Sequence, residues 1–577
     1  MISTKIKTNK EKRRKGKRII TAALPYINNV PHLGHIVGSH LPADIFSRYC
    51  RSQGYETLFI GGTDENGSTS EIAAFELNIP LEEFSNRLFK EHKKIYDWLD
   101  ISYDNFSRTS NKIHHETVKE FFKKIYEKGF IKKGKIKVFY SPKENMFLPD
   151  RYVKGECPKC GYKDANGDQC EKCTSLLDPL QLKNPVSSLS GGKLEIKEAE
   201  HLFLSLDKLS NNLKKWIESQ SLWRDQVKGI AKGWIKEGLK PRCITRDLKH
   251  GVKVPLKGFE EKVLYVWFDA PIGYVSSTKE IRKDWEKFWK DKNSEIYNFL
   301  GKDNIPFHTI FWPGMIIARG DFNLPKNVVG LQYLNFEGKK FSKSKKVGIF
   351  CEKLPEIGLD SDMWRHYLTQ IIPETSDSEF KWNDFQNRIN SELIGNYSNY
   401  VNRVLNFVHS KFYDIIERPK KEDLKEEDLK LIEKITEKKK KIEGLLERAE
   451  LRKAYSEILD LSSEGNKYIN DTQPWVVLKE NPSRAKNIFY TAIILLKALT
   501  ILIAPYLPKT SKRVWNQISL KGSPLSSGIW EEIGKDLGEK HKIRKPEILF
   551  EKLTNEQIKK YREVSSQGTE LKDFFKD

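Results

Sequence analysis

The sequence predicts an α/β protein: a doubly wound parallel sheet, interrupted by a cysteine-bearing insertion and followed by an α-helical bundle. Three observations carry this. An apolar run, Ile19–Tyr26, leads into the turn Pro31-His32-Leu33-Gly34-His35 and then into Ile36–Tyr49, which has a helical pattern, so the segment reads as strand, Gly-containing turn and helix. Two Cys-x2-Cys pairs, Cys157/Cys160 and Cys170/Cys173, stand nine residues apart where the α/β alternation breaks off. Beyond about Trp382 strand patterns disappear, and Ile394–Phe412, Leu429–Leu446, Ala449–Tyr468 and Pro482–Pro505 all carry apolar residues at helical spacing.

In chain order, residues 1–18 form a basic arm, polar and without the apolar core of a signal peptide. Residues 19–140 are expected to build the first half of the sheet, with a strand at Tyr55–Ile60 running into Gly61-Gly62-Thr63-Asp64-Glu65-Asn66-Gly67 and helices at Phe84–Leu99 and Thr117–Lys128. Residues 141–245 are the insertion. The α/β pattern resumes over 246–330, where the apolar runs Lys262–Trp267 and Ile305–Trp312 are expected as strands. Residues 331–381 carry the polar loop Lys340-Phe341-Ser342-Lys343-Ser344 between Gly338 and Gly348. Residues 382–519 are the bundle, in which Asn481 and Pro482 mark a helix start, and residues 520–577 a tail that packs back. Ile488–Leu507 is the one membrane-like stretch, but Lys497 in its middle and Pro505 near its end read as a buried bundle helix.

The formal net charge of +22, from 101 basic and 79 acidic residues, points to a polyanionic partner. Paired Cys-x2-Cys knuckles can close a tetrahedral thiolate site, and one structural zinc is expected there in preference to a disulfide pair or an iron–sulfur cluster. Cys50, Cys243 and Cys351 lack comparable partners. No Walker loop is present. The turn holding His32, Gly34 and His35 instead opens a helix whose N-terminal amides suit phosphate, and Lys340 and Lys343 sit on a loop able to close over it.

These two segments, in this order and about 300 residues apart, resemble the paired nucleotide motifs of class I aminoacyl-tRNA synthetases, with their Rossmann-like catalytic domain. Ala22-Ala23-Leu24-Pro25-Tyr26, Gly62-Thr63-Asp64-Glu65, Val266-Trp267-Phe268-Asp269-Ala270-Pro271-Ile272-Gly273-Tyr274, Gly301–His308 and Phe311-Trp312-Pro313-Gly314 narrow the resemblance to the methionyl-tRNA synthetase family, with an archaeal and eukaryotic flavour in Asn28-Asn29-Val30. The resemblance implies ATP- and Mg2+-dependent adenylation of L-methionine, then transfer to tRNA(Met), by a cytoplasmic enzyme. It implies a catalytic set of His32, His35, Lys340 and Lys343. ATP is expected on His32, Gly34, His35, Asp303, Lys340 and Lys343. Methionine is expected among Leu24, Tyr26, Trp267, Ala270, Pro271, Tyr274, Phe307 and His308, with its ammonium on Asp64 and Arg246 near its carboxylate and Asp64. The bundle is implied to be the anticodon-binding domain, reading bases through Asn399, Arg403 and Trp475. Where relatives often carry a second cysteine set, this chain reads Val186–Gly192, so one zinc is expected. Without the appended tRNA-binding module of some relatives, a monomer is expected. Another class I synthetase, or a synthetase-derived tRNA-binding protein without activity, is the alternative.

Overall fold

The computed structural model describes residues 15–167, 170, 172–173, 175, 177–341, 347–566 and 569–576. Residues 1–14 of the basic arm, and Lys343, lie outside the described residues.

Five parallel strands form the central sheet, in the spatial order Asn327–Leu331, Ser294–Gly301, Lys17–Ala22, Glu56–Thr63, Asn105–Arg108. Lys17–Ala22 is the middle strand. Its Ile19 pairs with Ile296 on one side and Leu58 on the other, and all three are buried, as a sheet covered by helices on both faces requires. The chain winds outward in one direction through the second and third strands, then returns to the first strand's other edge for the fourth and fifth. The strand order therefore reverses between Lys17–Ala22 and Ser294–Gly301. In a doubly wound sheet the crevice beyond the carboxyl ends of such a pair is where a ligand is received. The His32 turn follows one of these strands and Asp303 the other.

Of two expected strands, one is shortened to two residues and the other is helical. Lys262–Trp267 contributes only Val263–Leu264, which pairs with Thr245–Arg246 in a two-stranded ribbon, and Val266–Asp269 is already helical. Ile305–Trp312 lies in a helical segment, with a π-turn at Phe307–Phe311 continuing as Trp312–Arg319. Short, wholly apolar runs are equally at home in a buried strand or a buried helix. The sheet's true fourth and fifth strands are Ser294–Gly301 and Asn327–Leu331.

The insertion also begins earlier than residue 141. The long strand Ile131–Ser141 pairs antiparallel with Glu195–Leu204, Ile131 opposite Leu204, and so belongs to the insertion's four-stranded sheet rather than to the parallel one. The cysteine knuckles project from this sheet on their own ribbon, in which Val153–Glu156 pairs with Ala165–Asn166 and Lys183–Ser187.

From Trp382 onward helices stack as expected: Asn399–Phe412, Glu426–Glu447, Leu451–Thr472 and Pro482–Ile503. Among the described residues Pro482–Ile503 is the one helix long and apolar enough to cross a membrane, and it lies almost wholly buried at the centre of the bundle. The tail does pack back. Lys540–Lys542 pairs with Ile415–Glu417, and Phe575 stacks on Phe84 of the α/β region at 5.3 Å.

Candidate functional site

The turn after the first strand is built by its two histidines. His32 caps the following helix: its Nδ1 accepts the Gly34 N–H at 3.0 Å, while His35 Nδ1 accepts the His32 N–H at 3.1 Å. With each Nδ1 acting as an acceptor, the ring proton of each imidazole sits on Nε2, a donor edge suited to phosphate or ribose oxygens. Gly34 is required here, because a Cβ would stand 2.7 Å from His32 Cε1.

The described residues flanking the lysine loop contact this turn. Phe341 stacks on the His32 ring at 4.7 Å, Leu33 N–H donates to the Ile349 carbonyl at 3.2 Å, and Cys351 N–H to the Pro31 carbonyl at 2.9 Å. Lys340 is exposed at the end of a hairpin, with Lys339–Lys340 pairing against Leu334–Phe336. Gly348, at φ +130°, leaves the room that Phe341 fills; a Cβ there would lie 2.2 Å from the ring. Asp303 is exposed just beyond the fourth strand and accepts the Tyr333 hydroxyl proton.

A second group of residues gathers beyond the ends of the first and second strands. Tyr26 and Asp64 form a parallel bridge, Asp64 N–H donating to the Pro25 carbonyl at 2.9 Å. Asp64 is buried, and its Oδ1 has no hydrogen-bond partner. Burial, then the nearby Asp269, push its carboxyl well above the usual carboxylate range. Arg246 stands over the Tyr265 ring at 3.7 Å and donates through Nη1 to the Thr245 carbonyl at 2.9 Å.

Tyr274 lies close enough for the Asp64 charge to raise its own ionisation, burial being the larger cause. Its hydroxyl meets His308 Nε2 at 3.0 Å, and His308 Nδ1 meets the Asn304 carbonyl at 3.0 Å. Since a carbonyl only accepts, the His308 proton is on Nδ1 and Tyr274 is the donor to Nε2. Burial holds His308 neutral, lowering its pKa to about 4. Leu24 packs on the turn after Ala270 and Pro271, where a Cβ on Gly273 would come within 2.9 Å of it. Trp267 meets the edge of Phe307 at 4.4 Å. The outer side of Trp267 borders a cavity of about 90 Å³ lined also by Arg246, Tyr265, Phe311 and Cys243. Asp269 and Asn66 lie within segments the sequence brought forward but were given no role there, and His114 was not named. They are ordinary polar residues until the fold buries them together.

The four cysteines converge. Their sulfurs all lie within 4.8 Å of one another, with Cys157–Cys173 at 3.8 Å and Cys160–Cys170 at 3.6 Å. A disulfide needs about 2.05 Å, whereas sulfurs about 2.3 Å from a tetrahedral zinc stand about 3.8 Å apart. The donor set fits a metal.

On the bundle, Arg403 lies 5.9 Å from the centre of the Trp475 ring, which is 44% exposed and therefore not a core residue. Asn399 Nδ2 donates to Asn466 Oδ1 at 3.1 Å and Arg403 Nη2 to Asn470 Oδ1 at 2.7 Å. Asn466 and Asn470, a helical turn apart, complete a polar surface that the sequence did not single out.

The His32 turn and the segment bearing Lys340, meeting at the end of a reversed parallel sheet with a helical bundle behind, form the class I aminoacyl-tRNA synthetase architecture. Residues 18–405 match the family described as tRNA synthetases class I (M), and residues 418–569 the anticodon binding domain of methionyl tRNA ligase, which takes in most of the tail. The chain belongs to the methionyl-tRNA synthetase family. It is 42% identical to the methionine–tRNA ligase of Christiangramia forsetii, over 94% of this chain and 80% of that protein. It is 38% identical to the cytoplasmic methionine–tRNA ligase of Saccharomyces cerevisiae, over 94% and 73%. The fold superposes on that of Mycobacterium tuberculosis methionyl-tRNA synthetase in complex with methionyl-adenylate, with a TM-score of 0.77 at 22% identity, over 93% of this chain and 99% of the other.

Proposed function

We infer that the protein is a methionine–tRNA ligase. A methionine carboxylate oxygen attacks the α-phosphorus of ATP, pyrophosphate leaves, and the terminal adenosine hydroxyl of tRNA then takes the methionyl group with release of AMP. The observation that carries this reading is the Asp64 carboxylate, buried with its Oδ1 unbonded among the described residues, near Tyr274. An α-ammonium supplies the missing donor. Leu24, Tyr26, Ala270, Pro271, Trp267, Phe307 and the neutral Tyr274–His308 pair offer a thioether a polarizable, uncharged lining. Arg246 would reach the substrate carboxylate by leaving Tyr265.

His32 and His35 would donate to ATP oxygens through Nε2, with Gly34 allowing the backbone close. Lys340 and Lys343 would neutralise the leaving pyrophosphate, and Asp303 would mark the ribose side. Such chemistry is driven by positioning and electrostatics rather than by a covalent nucleophile. Mg2+ would accompany ATP as its phosphate counter-ion. Cys157, Cys160, Cys170 and Cys173 would hold one structural Zn2+, fixing the knuckle. Exposed Trp475 would stack on an anticodon base of tRNA(Met), initiator and elongator alike, with Asn399 and Arg403 on a base edge. A cytoplasmic location goes with this role.

Amino-acid-dependent pyrophosphate exchange tests the reading. Methionine alone among the protein amino acids should support rapid exchange; preference for another amino acid, or none with any, would overturn it.

A further inference from the structure

Tyr333 stands between two segments on which the nucleotide reading draws. It follows the fifth strand, Asn327–Leu331, by two residues and directly precedes the hairpin of Leu334–Phe336 and Lys339–Lys340. Across from it is the turn Lys302–Asn304, which ends the fourth strand and carries Asp303. The Tyr333 backbone is fixed on both sides. Gln332 N–H donates to the Pro373 carbonyl at 2.7 Å, Tyr333 N–H to Asp377 Oδ1 at 3.0 Å, and Ser378 N–H to the Tyr333 carbonyl at 2.9 Å. The ring is fixed too. The Lys302 ammonium lies 3.7 Å from its centre, and the same ammonium donates to Asp377 Oδ1 at 3.0 Å. A phenol held at its backbone and its ring presents its hydroxyl in one direction, and that hydroxyl donates to Asp303 Oδ1.

Asp303 has little else to hold it. It is exposed on a three-residue turn, and among the described residues its carboxyl group accepts no other hydrogen bond. An exposed carboxyl group without such a contact turns about two side-chain torsions, and a hydrogen bond to one oxygen fixes where the other points. With Oδ1 taken by Tyr333, Oδ2 is left to accept from a ligand. Asp303 stands just beyond the fourth strand, beside the crevice where the strand order reverses. A donor arriving there belongs to whatever that crevice receives.

We propose that Tyr333 is a positioning residue for the nucleotide sugar: its hydroxyl holds the Asp303 carboxyl group so that Oδ2 accepts a ribose hydroxyl of ATP. This rests on the assignment of Asp303 to the ribose side. The hydroxyl rather than the ring acts here, since Lys302 already lies over the ring. The arrangement selects a ribonucleotide, because a sugar without that hydroxyl gives Oδ2 nothing to accept.

The test is methionine-dependent pyrophosphate exchange by the full-length protein with ATP, 2′-deoxy-ATP and 3′-deoxy-ATP, for wild type, Tyr333→Phe, Asp303→Ala and the double variant. Any variant too slow for exchange is read by equilibrium dialysis of the labelled nucleotides. Tyr333→Phe keeps the ring beneath Lys302 and removes only the hydroxyl. It should raise the KM for ATP about two- to tenfold, the effect of one hydrogen bond, with kcat, the methionine KM and Tm unchanged. On the deoxy analogue lacking the hydroxyl that Asp303 accepts, and in the Asp303→Ala background, the same substitution should change nothing further, because that interaction is already gone. An unchanged KM for ATP in Tyr333→Phe overturns the proposal and leaves the ligase assignment intact. So does an equal rise on ATP and both analogues, the mark of a merely structural residue. Equal losses on all three nucleotides from Asp303→Ala overturn the assignment of Asp303 to the ribose, and the proposal with it. Absence of exchange by the wild type with methionine and ATP overturns the ligase reading itself.

Discussion

The Phe341 ring lies flat on the His32 ring, planes 17° apart and centroids 4.7 Å apart. These residues belong to the two segments proposed to hold the nucleotide, far apart in the chain, so the start of the lysine loop rests on the imidazole proposed to meet ATP. The contact ties Phe341, next to Lys340, to the His32 turn.

Removing this seat should slow adenylation without weakening methionine. An aromatic pair is worth about 0.5–1.5 kcal/mol beyond its buried area, so Phe341→Ala should lower kcat for pyrophosphate exchange roughly two- to tenfold. Gly348→Ala should act in the same direction, since its Cβ would occupy the space of the Phe341 ring. Steady-state exchange kinetics check this; a change confined to the methionine KM would place Phe341 in the amino-acid pocket instead.

Much of this architecture was legible in the chain because its signals are local. The strand–turn–helix around His32, the knuckle spacing of Cys157 to Cys173 and the helical periodicity of the bundle each announce themselves within a few dozen residues. What stayed hidden is what the fold alone brings together. Lys262–Trp267 and Ile305–Trp312 are apolar enough for strands, yet tertiary packing cuts the first to the short strand Val263–Leu264 and makes the second helical. Ile131–Ser141 joins a partner more than 50 residues away, Glu195–Leu204, rather than the parallel sheet. Asp269 and Asn66 are 203 positions apart, and nothing in either segment foretells their 2.6 Å hydrogen bond.

The cysteine knuckle predicts its own metal content. Purified protein should contain one zinc per chain by elemental analysis, and Cys170→Ser should bring that near zero, because a hydroxyl replaces one of four thiolates. The ribbon carrying the site should then become open to proteolysis between Val153 and Ser187, while the parallel sheet, which shares no strand with it, keeps its protection. Two zincs, or iron, would contradict the assignment.

Buried neutral imidazoles should make the protein acid-sensitive. Burial lowers His40 to about 3, His366 to about 3 and His308 to about 4. In the unfolded chain these rings take up protons below about pH 6.5, while the folded ones do not. Unfolding therefore binds protons, and stability is fully present above the unfolded pKa and is lost as pH falls from about 6.5 toward 4. His308 alone accounts for up to about 3 kcal/mol of this loss. His40→Gln, which removes one such group from between Tyr96 and Tyr103, should flatten the dependence of Tm on pH over that interval. An unchanged slope would mean that His40 is already charged in the folded protein.

The bundle residues proposed to meet tRNA should affect charging separately from chemistry on methionine. Trp475 is exposed on the short helix Pro474–Glu480, with Arg403 beside its ring and Asn399 one turn from Arg403 on the neighbouring helix. Stacking of a base on such an indole is worth about 1–3 kcal/mol, and the ring contributes little to the core because so much of it faces solvent. Trp475→Ala should therefore reduce the kcat/KM for charging of tRNA by roughly one to two orders of magnitude. Methionine-dependent pyrophosphate exchange, which requires no tRNA, should hardly change, and neither should Tm. Arg403→Ala should lower charging too, since it removes a cation from the same surface and frees Asn470 from its hydrogen bond. Should exchange and charging fall together in Trp475→Ala while Tm drops, the indole is supporting the bundle rather than meeting the anticodon.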